Sequence, residues 1–351
     1  MFEKINKIIE HEEIITPIKF MEKSDEIYAG ILPNQEFKKL DKNKYFKVTS
    51  GNGLTVFKAK SFTLKENYVI FCHTLFIDSL FEHLENINEL KNIKLITSQT
   101  DVPITKNLFD KKPKCISQWF SINVAHIDNN LLPIPLGIVG HSNKKNLTSS
   151  NLNKIDLDKK REDKIYVNFN LNTNYFHRII AVKKVLKMKD AIVEKPNMEL
   201  NEYVKKLSNY KYSITPWGNG VDTHRMWESI YSGCIPITQN NIAFRNIQDL
   251  PIVFVDSYKE ISKEMLSNYN FENINHEKLK FSWWFNLIQK QKIEEQSKEI
   301  SFYENEKKNY KNVNLFYSKY HKNEKSKKYS TFFRKVHKNI FGRDINNKIG
   351  I

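Results

Sequence analysis

Apolar and polar positions change over in short runs along this chain, and the period of each run predicts an element. YFKVTS and LTVFKAK flank Gly51-Asn52-Gly53, a turn between two β-type runs that predicts a hairpin. Tyr68-Val69-Ile70-Phe71 is the continuous apolar run of a buried strand, and LFIDSLFEHLENI after it carries apolar residues at helical spacing. Ile93-Lys94-Leu95-Ile96-Thr97 predicts another strand, running out into Ser98-Gln99-Thr100-Asp101, and Ile116–Val124 and Leu132–Gly137 continue the series. Strand-helix-strand succession of this kind predicts a parallel sheet. His141 to Asp163 is polar and lacks apolar periodicity, which marks a linker. A second series follows it. Lys164–Phe169 predicts a strand, a helix carrying Arg178 comes next, Asn201–Tyr210 is amphipathic, and Tyr212-Ser213-Ile214 is a strand. LPIVFVD, Leu250 to Asp256, predicts a further strand, with a helix over 257–268. FSWWFNLIQKQKIEEQSKEI predicts one long helix with Trp283, Trp284, Phe285 and Leu287 inward. In the tail from Lys322, Phe332, Phe333, Val336 and Ile340 form one apolar stripe among lysines and arginines, the pattern of an interfacial helix.

Between the second series and LPIVFVD lies TPWGNGVDTHRMWESIYSGCIPIT, Thr215 to Thr238. Pro216 and the Gly218-Asn219-Gly220 turn break regular structure. Asp222 and Thr223 are candidate helix caps, Gly233 is a stop, and Cys234–Ile237 is a short strand. On a helical wheel Trp227, Ile230 and Tyr231 share one side, with Arg225, Glu228 and Ser232 opposite. A helix N-terminus carries free N–H groups and partial positive charge, so this one suits a phosphate. Two glycines would let the main chain approach it, Arg225 and His224 add donors, and Glu228 could accept from a ribose diol. The same Arg225 and Glu228 spacing also describes an ordinary surface ion pair.

Composition narrows the picture. With 351 residues, 40% of them hydrophobic, the chain is long enough for two packed domains. Lys+Arg 56 against Asp+Glu 40 gives +16, which points to an anionic partner without choosing one. Three distant cysteines, Cys72, Cys115 and Cys234, suggest neither a metal knuckle nor a disulfide framework. No run is long and apolar enough to span a bilayer, and the first twenty residues lack a cleavable signal pattern, so a reducing, cytoplasmic setting is expected.

GNGVDTHRMWESIYSGCIPI followed by LPIVFVD resembles the nucleotide-sugar half of exostosin-like glycosyltransferases. SQTD, WFSIN and the Ile-Pro-Leu-Gly strand end resemble the acceptor side of bacterial and viral members. The resemblance implies an α/β fold of GT-B type, two Rossmann-like domains facing across a cleft, with a C-terminal helical extension crossing back. The expected boundaries are 1–145 for the acceptor side, 146–268 for the nucleotide-sugar domain, and 269–351 for the helices and basic tail. It further implies that Glu228 binds the donor ribose and that the Asn/Thr cluster with Asn170 and Asn172, followed by Arg178, faces the donor. An Asn-rich turn is the alternative for those asparagines.

The expected chemistry is sugar transfer from a UDP- or GDP-linked donor to a glycan or lipid-linked acceptor in surface polysaccharide synthesis. Charge developing on the leaving diphosphate would be met by Arg225, His224, Arg178 and the Gly218–Gly220 backbone. No acidic pair with clear metal geometry, such as Asp-x-Asp in a strand-end loop, is present, so no metal and no other cofactor are expected, and the transfer is expected to invert. Asp101, at the end of a predicted strand where ligands collect, is the first candidate base, with His73 and His126 as fallbacks. The basic tail suggests peripheral contact with an anionic membrane. A non-catalytic protein binding nucleic acid or glycan is the alternative class; no helix-turn-helix, RRM or zinc module is legible, and nucleic acid is not expected as partner.

Overall fold

The computed structural model describes residues 10–141, 146–152, 155–156, 159–196, 198–271, 273–294, 298–304 and 313. Contacts divide the chain into two compact units. One comprises Thr16–Pro135 with the described residues from Ser282 onward; the other comprises Leu136–Phe281 with residues 10–15. The expected boundaries at 145/146 and 268/269 thus differ from the observed ones. Residues 10–15 belong with the second series of elements, and the change from the first series to the second falls after a proline, Pro135, ahead of the polar linker.

The first unit contains β1 (Glu26–Pro33), β2 (Tyr45–Gly51), β3 (Leu54–Ala59), β4 (Ser61–Lys65), β5 (Val69–His73), β6 (Ile93–Ser98), β7 (Ile116–Ser121) and β8 (Leu131–Pro133). Seven of these form one sheet in the order β2-β3-β1-β5-β6-β7-β8. Neighbours from β1 through β8 are parallel, whereas β2-β3 and β3-β1 are antiparallel. Asn52 (φ 51°) and Gly53 (φ 80°) both take the left-handed region, the combination a two-residue primed hairpin turn needs. Behind β5 and β6 the helix Ile77–Leu84 buries Ile77, Leu80, Phe81 and Leu84, every third or fourth residue. Trp119 lies fully buried in this core, its Nε1 donating to Thr97 Oγ1 at 2.8 Å.

The long helix expected from Phe281 is a correction. Helix covers Phe281–Gln289 only, burying Trp284 and Ile288 while Trp283, Phe285 and Leu287 are half-buried. Gln291 has φ 60°, and Glu299–Tyr303 is a strand, β14, antiparallel to β4. EISFY alternates and has β-type residues, and an available edge strand decides its state. The contact is anchored by charge. Glu304 Oε2 lies 2.7 Å from Lys58 Nζ and 2.8 Å from His83 Nε2, and accepts from Tyr28 OH at 3.0 Å, with Lys58 fully buried. The tail stripe Phe332, Phe333, Val336 and Ile340 lies outside the described residues.

The second unit holds β9 (Glu162–Val167), β10 (Ala191–Val193), β11 (Tyr210–Ile214), β12 (Ile235–Gln239) and β13 (Val253–Val255). They form an all-parallel sheet in the order β10-β9-β11-β12-β13. This is a doubly wound, Rossmann-like arrangement, in which the order reverses between β9 and β11, and the carboxyl ends of those two strands border the crevice where ligands bind in such sheets. The helix expected over 257–268 is broken: a 3₁₀ turn, Tyr258–Glu260, gives way to Lys263–Ser267 because Ser262 caps a new start through Met265 N. Among the described residues no helix is long and apolar enough to cross a membrane.

Candidate functional site

The central stretch forms the loop from β11, the helix His224–Tyr231 and the turn into β12. Gly233 (φ 71°) ends the helix in the left-handed conformation that glycine adopts without cost. At the helix start, Thr223 is extended and its side chain makes no capping hydrogen bond. Met226 N donates to Thr223 O at 3.1 Å, and the partial positive charge of the helix start favours a nearby anion.

Beyond the carboxyl ends of β9 and β11 lie two arginines, Arg178 and Arg225, whose charges act on one another. Arg178, on the helix Tyr175–Val185 that follows β9, is buried. Its Nε donates to Trp217 O at 2.8 Å, its Nη1 to Asn170 O and its Nη2 to Pro216 O at 3.5 Å. It therefore ties the loop after β9 to the loop after β11. Burial, reinforced by the charge of nearby Arg225, lowers its pKa to about 10. Arg225 is half-buried, with Cζ 4.9 Å from the centroid of the Tyr203 ring and Nη1 3.4 Å from Asn168 Oδ1. Among the described residues no carboxylate lies within salt-bridge distance of either guanidinium. Two cations held this way form a natural anion seat.

Several expected donor contacts are turned inward instead. Glu228 is 1% exposed, and its Oε1 accepts from Leu147 N at 3.0 Å and Asn146 Nδ2 at 3.3 Å. Its Oε2 accepts from Tyr203 OH at 3.0 Å. A ribose diol finds no free carboxylate there, because a segment some eighty residues earlier in the chain has taken Oε1 and Tyr203 has taken Oε2. Asp222 is likewise internal, accepting from Leu136 N and Trp227 Nε1, both at 2.8 Å. Burial pushes its pKa up to about 7 against hydrogen bonds from Leu136, Trp227 and Thr223. His224 Nδ1 lies 2.8 Å from Gly137 O. Gly218 N donates to Gly220 O at 2.9 Å, so that amide is not offered outward, and Gly218 O accepts from Asn174 Nδ2 at 2.8 Å. Asn219 is exposed, Pro216 and Gly220 are buried.

Asn170 and Asn172 follow the turn alternative. Asn170 Oδ1 accepts from Asn172 N at 2.9 Å, capping a 3₁₀ turn, and both residues are exposed. Asn168, one residue past β9 and the first of that Asn/Thr cluster, holds Lys195 O through Nδ2 at 2.7 Å and faces Arg225 with Oδ1. Tyr203 was missed. On the wheel of its amphipathic helix it looks like core, which it also is, and only the fold reveals that its ring underlies Arg225 while its hydroxyl holds Glu228.

In the first unit, Asp101 is half-buried in the loop after β6, beyond Gln99 (φ 69°). His73, the last residue of β5, is a correction. It is fully buried, its Nδ1 accepts from Leu75 N at 3.4 Å, and burial lowers its pKa to about 3. It is held neutral inside the core, without the exposure a proton-accepting base requires. His126 is half-buried against Phe109, with ring centroids 5.8 Å apart. Among the described residues no three His, Cys, Asp or Glu side chains are grouped as metal ligands. Compared with models of known protein families and with curated proteins, the chain matches none.

Proposed function

We propose that the chain is a glycosyltransferase of GT-B type that binds a nucleoside-diphosphate sugar at the carboxyl ends of β9 and β11. The observation that supports this best is the pair Arg178 and Arg225, cations whose charges act on one another and which, among the described residues, have no carboxylate within salt-bridge distance, at the switch point of a doubly wound sheet. Burying like charges together is unfavourable unless an anion joins them, and a diphosphate supplies the matching oxygens. The uncapped start of His224–Tyr231 adds partial positive charge. Glu228 and Tyr203 position Arg225 here rather than holding the ribose.

In the transfer, the acceptor hydroxyl oxygen bonds to the anomeric carbon as the bond to the diphosphate oxygen breaks. The electron pair leaves on the diphosphate, stabilised by the two guanidinium groups, and the hydroxyl proton passes to a carboxylate base, for which Asp101 is the candidate. The resulting inverting, metal-independent route serves a glycan or lipid-linked acceptor in surface polysaccharide synthesis.

Calorimetric titration of the full chain with UDP, GDP, pyrophosphate and single-stranded RNA tests this. A nucleoside diphosphate should bind, and Arg225→Ala should weaken it by about tenfold or more. Asp101→Asn should keep that binding while losing sugar transfer. Binding of RNA alone, indifferent to Arg225→Ala, would instead support a nucleic-acid partner.

A further inference from the structure

The helix Tyr175–Val185 has two unlike faces. Arg178, Ala181, Val182 and Val185 are buried on one of them. The helical period puts Phe176, Ile180 and Lys183 on the other, and Lys187 continues that face in the turn that follows. Phe176 is 76% exposed and Ile180 40%. Single exposed apolar side chains are ordinary on a protein surface. These two stand one helical turn apart, where side chains are neighbours, and so form a short apolar ridge. Phe176 is supported in its outward position. Its ring meets that of Tyr175 edge-on with centroids 5.7 Å apart, and Tyr175 packs against the core.

Charge around the ridge has one sign. From Lys164 to Lys189 the chain contains no aspartate or glutamate, whereas Lys183, Lys184, Lys187 and Lys189 follow Ile180 closely. Lys183, Lys187 and Lys189 are exposed, and Lys184 is half-buried. The acids that bound this stretch lie against other lysines: Asp163 is 3.4 Å from Lys211, and Asp190 is 4.0 Å from Lys263.

We propose that this face docks on an anionic lipid bilayer, with Phe176 and Ile180 entering the headgroup boundary and the lysines meeting lipid phosphates. An apolar ridge flanked by lysines matches such a surface in polarity and in charge. A second copy of the chain would set lysines against lysines. Nucleic acid would answer the charge and leave Ile180 wet. Arg178 lies on the opposite face of the helix, so the ridge is distinct from the proposed diphosphate seat.

The test is sedimentation of the full chain with vesicles of phosphatidylglycerol and phosphatidylcholine in equal parts, beside vesicles of phosphatidylcholine alone. Binding should be confined to the anionic vesicles and should weaken as salt is added. Phe176→Ser combined with Ile180→Ser should weaken it by about tenfold or more. Lys184→Gln combined with Lys187→Gln should weaken it by about tenfold. Both double variants should keep the parental unfolding midpoint and the parental affinity for nucleoside diphosphate, which separates failure here from failure of the crevice. Cys72, Cys115 and Cys234 are buried, so Ile180→Cys can carry an environment-sensitive dye, whose emission should shift to the blue on anionic vesicles. Parental binding in both double variants, as the basic tail alone would give, would overturn the proposal, as would an unshifted dye on bound protein. Tighter binding to single-stranded RNA, dependent on the lysines and indifferent to Phe176→Ser, would also overturn it.

Discussion

Two glycines show how differently the same residue type is constrained. Gly137 has φ 71°, and a Cβ there would fall 2.1 Å from Ile15 O, on the backbone whose carbonyl receives Ile138 N at 3.0 Å. Gly137→Ala is therefore expected to destabilise the protein by about 3 kcal/mol or more, measured by denaturant unfolding. Gly218 is outside the left-handed region, and a Cβ there would meet nothing closer than 3.5 Å. Gly218→Ala should keep parental stability in the same measurement, and on the proposed function it should weaken nucleoside-diphosphate binding, since internal packing does not demand a glycine. Arg178 differs from Arg225 in the same way. Because Arg178 joins three carbonyls of two loops, Arg178→Ala should lower stability as well as binding, whereas Arg225→Ala should act on binding alone.

Among the elements, β14 depends on more than its ladder. Glu304 follows it directly and neutralises Lys58, which has no exposure of its own. Removing one partner of a buried pair leaves the other charge uncompensated, so Glu304→Ala should cost about 3–5 kcal/mol in denaturant unfolding. Exchange of the β4 and β14 amides should accelerate in that variant. The helix His224–Tyr231 has a comparable anchor in Glu228, which joins it to Leu147 and to Tyr203 on the helix Leu200–Leu207. That anchor was hidden in the sequence, where Arg225 and Glu228 three residues apart suggested a shared ligand or an ion pair. Neither description fits, because side chains and backbone from distant segments reached Glu228 first.

For the whole molecule, the two units should respond to pH with opposite signs. Between the ordinary carboxyl range and about 7, native Asp222 keeps a proton that the unfolded chain has released, so its contribution falls as pH rises through that window. For Glu304, burial alone would raise the pKa, but hydrogen bonds from His83, Lys58 and Tyr28 outweigh it and hold the group at about 2. Its contribution is present above about 4.5 and is lost as pH falls toward 2. Unfolding followed across this range should show Asp222→Asn flattening the slope toward neutrality and Glu304→Gln removing the loss in acid. Identical pH profiles for parent and variants would refute both assignments.

The sequence by itself determined the parallel α/β character, the hairpin at Asn52-Gly53 and the loop-helix-strand unit around Arg225. Those features follow from local periods and from residues with restricted backbone conformations, which every segment carries within itself. Only the tertiary structure decided that β1 lies inside the first sheet, that EISFY becomes a strand, and that Glu228, Asp222 and His73 are turned inward. Each of those outcomes was set by a partner far away in the chain. A buried polar group takes whichever partner the fold brings within hydrogen-bond reach, and spacing along one helix cannot name that partner.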